Sequence, residues 1–186
     1  VILPLIIILF LINGCILKSK INNPNRDFYC NIPIHLDFTR NITAQPRINE
    51  ILYEILYQSL QSDNNLKLTD VNNAEYLIKS EIVDYNKTIA FKDVNDVAHS
   101  YNLSARLKLT IIKNQNAQNK QRLEVDANTN DIYIIEESAE ALYSDTFNEN
   151  AETELQAYTR ISRILTLKTM RKIREYIIKK QLQKNT

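Results

Sequence analysis

The stretch Leu11-Ile12-Asn13-Gly14-Cys15 is where residue type and spacing in this 186-residue chain most directly specify chemistry. A cysteine directly behind a small residue, at the end of an apolar run, is a thiol placed for acylation once the bond before it is cut. The run Val1 to Ile12 is too short to span a bilayer as a helix, which needs about 20 residues. It suits the apolar region of a signal peptide, roughly 7–15 residues ending at a small-residue cleavage site. The stretch resembles a lipobox, with Gly14 the last residue removed and Cys15 the acylated N-terminus. No Lys or Arg precedes the run, and the plainer alternative is an ordinary secretory peptide or a stray hydrophobic terminus. Residues 1–14 are therefore expected to be a lipoprotein signal peptide. Cys15 is expected to be the acylation site, because it alone follows an apolar run and a small residue.

Other chemistry is excluded by what the sequence lacks. Gly14 is the one glycine and falls in the segment expected to be removed. A phosphate-cradling P-loop, a dinucleotide fingerprint and a nucleophile elbow all require glycine. Cys30 would be left without a disulfide partner, and His35 lies only five residues further on a strand, so Cys30 reads as a small buried or linker thiol. The two histidines, His35 and His99, are isolated, and no nucleophile and base assemble around them. No catalytic residue, metal site or cofactor is expected, and a hydrolase is set aside. Lys plus Arg number 23 against 22 Asp plus Glu, which gives no global basic field of the kind nucleic-acid binders use.

The elements follow from periodicity. From Ile16 to Asp27 the chain is polar and short of large apolar residues, with Lys18, Lys20, Pro24 and Arg26, and residues 15–30 read as a tether. A single domain is expected over 31–183. Ile32, Ile34, Leu36 and Phe38 alternate with Pro33, His35 and Asp37 as a half-buried strand, Pro33 marking an edge or a strand start and His35 solvated. Pro46 suits the first turn of a helix. Its apolar stripe is Ile48, Ile51, Leu52, Ile55, Leu56 and Leu60, with Tyr53 and Tyr57 packed at the boundary, ending near Ser62-Asp63-Asn64-Asn65. Leu66, Leu68 and Val71 suggest a short strand. A longer strand runs from Tyr76 to about Asn86 with a bulge where the pattern switches to Val83 and Tyr85. Lys87 to Val97 reads as a charged connection. Tyr101 to Ile111 is the clearest strand, with Leu103, Ala105, Leu107 and Leu109 inward and Arg106 and Lys108 outward. Asn114 to Gln121 is a turn, and Arg122 to Ala127 is a returning strand with Leu123 and Val125 inward. Residues 128–150 carry no clear pattern beyond Ile132-Tyr133-Ile134-Ile135. A second helix is expected from about Ala151 to Gln183, its stripe formed by Leu155, Tyr158, Ile161, Ile164, Leu165, Leu167, Met170, Ile173 and Ile177. The cations Arg171, Lys172, Lys179 and Lys180 in its last turns are accounted for by the helix dipole and solubility. With no glycine, turns of positive φ must fall on Asn or Asp.

This order, with Phe38-Thr39-Arg40-Asn41-Ile42-Thr43-Ala44-Gln45-Pro46, Ala74-Glu75-Tyr76-Leu77-Ile78, Phe91-Lys92-Asp93, Ala98-His99-Ser100-Tyr101, and Ser138 with Tyr143, resembles the LptE family of lipopolysaccharide-assembly lipoproteins. The resemblance extends from Ile32 to about Ile177. Ile16-Leu17 replaces the family's usual Gly-Phe pair, and Ser80 a common glycine. The resemblance implies an α+β fold: a mostly antiparallel sheet of four to five strands with two helices on one face, behind a lipidated tether. It implies a non-enzyme at the outer membrane, lipid-anchored and facing the periplasm. Such a protein plugs a large outer-membrane β-barrel lipopolysaccharide-assembly protein and assists lipopolysaccharide delivery. Lys92 is the one lipopolysaccharide-binding position carried over by motif, and Lys87, Lys108 and Lys113 are basic alternatives on the same sheet region. A further basic position of some members falls near Ser144, which is uncharged. The competing reading is a lipoprotein activator of a peptidoglycan synthase, which needs a long tether. Residues 16–30 extend at most about 50 Å, which favours a partner at the membrane.

Overall fold

The computed structural model describes residues 31–114, 132–144 and 153–184. Along the chain run β1 (Ile32–Leu36), β2 (Arg40–Asn41), α1 (Ile48–Gln61), β3 (Leu66–Leu68), β4 (Tyr76–Lys92), β5 (Ala98–Lys113), β6 (Ile132–Ser144) and α2 (Glu154–Lys184). The strands form one open sheet in the order β3-β1-β4-β5-β6, with β2 beside β4. The fold is α+β with both helices packed on one face, as expected. Among the described residues the sheet is mixed and has six strands, where four or five mostly antiparallel ones are expected. The pairs β1–β3, β1–β4 and β2–β4 are parallel, and β4–β5 and β5–β6 antiparallel. The parallel part follows from α1, because only a crossover of a dozen or more residues returns a chain to pair parallel with the strand it left.

Pro33 therefore marks a strand start and not an edge: β1 lies between β3 and β4, and the Pro33 carbonyl accepts the Glu75 amide at 2.7 Å. Phe38 falls beyond β1 and is exposed, its ring 5.0 Å from that of Tyr53. His35 is not simply solvated. It is half-buried, with Nδ1 3.0 Å from the Thr69 carbonyl and Nε2 3.3 Å from Asp37. The expected bulge is present: β4 pairs with β5 through Ile82–Leu107 and then Asp84–Arg106. Tyr76, Ile78, Ser80 and Ile82 thus point to the core before the slip, and the odd-numbered Tyr85 does so after it. Two strands were harder to see. β4 continues past Asn86 to Lys92, so most of the expected charged connection is strand. β6 occupies residues in which no pattern was found. Its inward positions include Ile135, Glu137, Ala139, Ala141 and Tyr143, and small or charged inward residues hide a period-two pattern. The inward Glu137 is explained by Lys172 of α2, 2.6 Å away.

The core is built from branched aliphatics: Ile34, Leu52, Leu56, Ile78, Leu107, Leu109 and Ile161 are fully buried. Ser80 is buried against the Thr39 hydroxyl at 2.7 Å, so its own hydroxyl is satisfied by the segment leading into α1. Positive φ occurs at Asn31 and Asp96, as the absence of glycine requires, and also at Arg47, the residue capping α1. Pro46 precedes that cap and does not enter the helix. α2 begins with a capping box: the Thr153 hydroxyl accepts the Gln156 amide at 3.3 Å, and Gln156 Oε1 accepts the Thr153 amide at 2.7 Å. Leu155 and Leu167, expected in its apolar stripe, are exposed. Ala157, Ser162, Thr166 and Thr169 are buried in their place. The signal segment, Cys15, the tether with Cys30, and the strand expected at Arg122 to Ala127 lie outside the described residues.

Candidate functional site

The bulge turns β4 so that Lys87 rises on the helix side of the sheet, where β5, β6 and the first turn of α2 meet. Its ammonium stands 3.2 Å from Glu154 Oε2 and lies over the rings of Tyr101 (4.6 Å) and Tyr143 (5.3 Å). Those rings face each other across β5 and β6, with centroids 5.3 Å apart and planes at 21°. The second oxygen of Glu154 accepts the Tyr158 hydroxyl, which also receives the Gln45 side-chain amide at 2.5 Å and lies 3.3 Å from the Tyr85 hydroxyl. One polar network therefore joins β4, the segment before α1, and the first turns of α2.

The network sets the protonation of its members. Burial alone would lower the Lys87 ammonium; its bonds to Tyr143 and Glu154, and the Glu154 charge, outweigh this and hold it above its ordinary value. Burial would raise the Glu154 carboxyl, but the bonds from Tyr158 and Lys87 hold it below its ordinary 4.5. Burial, then the Glu154 carboxylate, push the Tyr158 hydroxyl well up. At neutral pH the arrangement is a fixed cation, a fixed anion and a neutral phenol. It has no group poised to exchange a proton.

Lys92 lies five residues further, about 16 Å along the strand, and does not share a site with Lys87. It ends β4 at the hairpin tip, where its ammonium is 2.8 Å from Asp96. Asp93 orders the turn by accepting the amides of Asn95 and Val97 and by pairing with His99 at 3.0 Å. The bond to His99, then that to Val97, hold the Asp93 carboxyl below its ordinary value. Around these charges Ile89, Phe91, Val94 and Val97 are exposed, Val94 completely. Sequence reasoning named Lys87 and Lys92 but missed their surroundings. Tyr101 and Tyr158 read as strand and helix positions, Tyr143 enters only through the resemblance, and Glu154 gives no signal, because only the β4 bulge and the β6 pairing bring them together. The tip hydrophobics were hidden inside an expected loop.

The opposite face of the sheet is uncovered among the described residues. Register sets Glu81, Lys108 and Glu136 side by side across β4, β5 and β6, and likewise Asn86, Ser104 and Glu140. Arg106 stands 3.8 Å from Asp84 there. Among the described residues no His, Cys, Asp and Glu group is arranged to hold a metal, and no helix is long and apolar enough to cross a membrane.

Residues 33–173 match the family model LptE, lipopolysaccharide-assembly. The chain belongs to the LptE family. No curated protein matches it in sequence. Among solved structures it is similar to the minor lipoprotein of Acinetobacter baumannii, at 14% identity over 76% of this chain and 91% of that one, TM-score 0.44. Protein XCC0632 of Xanthomonas campestris is 9% identical over 88% and 94% of the two chains, TM-score 0.47. Rare lipoprotein B of Shewanella oneidensis is 10% identical over 82% and 99%, TM-score 0.40. Membership rests on the family match. It makes this LptE-family chain a lipopolysaccharide-assembly protein of the cell envelope, and every element from β1 to the middle of α2 lies within the matched region.

Proposed function

We propose that this LptE-family chain is a non-catalytic outer-membrane lipoprotein, anchored through acylated Cys15 and facing the periplasm. It stands in the lumen of a large β-barrel lipopolysaccharide-assembly protein and helps pass lipopolysaccharide to the cell surface. The family match carries this reading. The uncovered sheet face supports it: cross-strand rows of charged and polar side chains, Glu81–Lys108–Glu136 and Asn86–Ser104–Glu140, suit the polar interior of a barrel. The two lysines take different roles. Lys87 is committed to Glu154 and two rings, and braces the base of the hairpin. Lys92 holds only an exposed pair with Asp96, worth at most about 1 kcal/mol. A lipid A phosphate can take Lys92 over, because a charge-assisted bond returns about 1.5–3 kcal/mol.

Pull-down of the tagged protein from detergent-solubilised envelopes tests the partner. A co-purifying large β-barrel is expected; a peptidoglycan synthase in its place would overturn the reading. Cys15→Ser removes the thiol to be acylated and should leave unprocessed precursor at the inner membrane. A lipid-modified outer-membrane species from that variant would contradict the anchor.

A further inference from the structure

Among the described residues the sheet has three edges, and two are guarded. β3 is three residues long, and short edge strands resist pairing with a further chain. On β6 the Ser138 carbonyl accepts the Lys168 ammonium at 2.6 Å, and the Leu142 carbonyl accepts the Arg160 guanidinium at 2.5 Å. Side chains of α2 thus occupy that edge. The third edge is the far half of β4. β2 pairs with β4 only at Glu81 and Ile82, and from Val83 to Lys92 no strand lies on that side among the described residues.

Backbone parity identifies the bare groups. The Ile78 and Ile82 carbonyls face β1 and β2, where they accept the Asp37 amide at 2.9 Å and the Ile42 amide at 3.2 Å. Alternate residues of an antiparallel strand point their backbone groups the same way. The bulge after Ile82 shifts the count by one, so beyond it Tyr85, Lys87 and Ile89 turn an N–H and a C=O outward. The register is regular from Asp84 to Ile89, between two bulges that bound the stretch without breaking it. No group bonds to these outward amides and carbonyls among the described residues. An inward charge can also deter pairing, but Lys87 is turned to Glu154 at 3.2 Å and lies over the Tyr101 ring.

The outward groups recur every second residue, about 7 Å apart. Only another extended polypeptide repeats donor and acceptor at that spacing; the sugars and phosphates of a glycolipid do not. The flanking side chains set its pattern. Tyr85 and Ile89 lie on the helix side, Ile89 50% exposed, while the exposed Asp84, Asn86 and Thr88 lie on the uncovered side. A strand of alternating apolar and polar residues fits both sides. A second copy of this chain fits poorly. The antiparallel register that pairs all three outward residues sets Lys87 opposite Lys87, and like charges there are destabilising.

We propose that the β4 edge from Tyr85 to Ile89 receives an extended segment of the barrel partner, alternately apolar and polar, which adds a strand to the sheet. The proposal rests on the reading of that partner as a β-barrel. Main-chain bonds then hold the base of the hairpin to the partner independently of any glycolipid at the tip.

Hydrogen exchange resolved to single amides tests this, on the full chain alone and in complex with the barrel co-purified from detergent-solubilised envelopes. In the free chain the Tyr85, Lys87 and Ile89 amides should exchange fast, and the Asn86 and Thr88 amides, which face β5, slowly. In the complex all of them should be slow, the first three by a gain of about tenfold or more. Ile89→Pro removes one outward N–H and leaves the ladder with β5 intact, whereas Ile89→Ala keeps the donor. Barrel association should weaken several-fold more in the proline variant than in the alanine variant. The exchange result decides whether or not the proline variant folds. Fast exchange of the three amides within an intact complex would overturn the edge site and leave the barrel reading in place. Slow exchange in the chain alone that is lost on dilution would also overturn it and make the edge a self-association surface. Absence of any barrel from the preparation would overturn both readings.

Discussion

The two ends of the sheet are built on different principles. Around α1 and the start of β4 the interior is Ile34, Leu56, Leu60, Ile78 and Ile111, all fully buried, with an ion pair from the buried Asp63 to Arg174 tying the end of α1 to α2. At the hairpin end the strands run on past the helices. There the base of the hairpin is joined to α2 by a hydroxyl, an amide, a carboxylate and an ammonium, with aromatic rings between them. Apolar burial is non-directional and scales with area, so it suits the end that has only to be stable. A hydrogen-bonded network is directional, and it suits the end whose orientation has to be set.

Three substitutions sharpen this contrast, taken from the largest effect down. Leu107→Ala removes fully buried methyl groups from β5 and should cost about 2–5 kcal/mol in denaturant melts. Tyr158→Phe keeps the ring but removes the hydroxyl shared by Gln45, Glu154 and Tyr85, and should cost about 1–2 kcal/mol. Arg106→Ala, on the uncovered face, should stay within about 0.5 kcal/mol. Equal losses for Leu107→Ala and Arg106→Ala would mean that the faces are exchanged.

The network also has a pH signature. Glu154 is held below its ordinary 4.5 when folded. Its stabilising contribution is thus present above that pH and lost as pH falls through the folded value. Lys87 is held above its ordinary 10.5, so its contribution is complete below 10.5 and fades only in stronger alkali. Glu154→Gln should therefore be less stable than wild type at neutral pH, and the gap should close in melts taken well below pH 4.5. A gap that stayed constant down to acid pH would remove the carboxylate from the brace.

The aliphatic end was largely legible in the sequence, and the hairpin end was not. α1 announced itself through Ile48, Leu52, Leu56 and Leu60 at helical spacing, and β5 through strict alternation. The β4 bulge was visible because the inward positions slip from Ile82 to Val83 and Tyr85. β6 was hidden because inward alanines and a glutamate carry no hydrophobic alternation. The reach of β4 to Lys92 was hidden because its exposed end reads as a charged loop. The mixed sheet turns on long-range pairing of short segments, and a three-residue strand such as Leu66–Leu68 does not state whether it runs parallel to β1. Lys92 comes from motif resemblance, and Lys87 as a basic alternative on the same sheet region. The difference between a tip lysine and a bracing lysine required the register of three strands and the first turn of α2.

The central claim is that the hairpin tip meets the lipid A phosphate through Lys92 while Lys87 holds the hairpin in place. Lipopolysaccharide titration of Lys92→Glu against wild type, at low and raised salt, tests it most directly. The account predicts at least several-fold weaker binding with an unchanged melt and unchanged barrel association, and wild-type binding that weakens with salt because exposed charges are screened. An affinity unchanged by Lys92→Glu would contradict it and leave the protein as an assembly plug only.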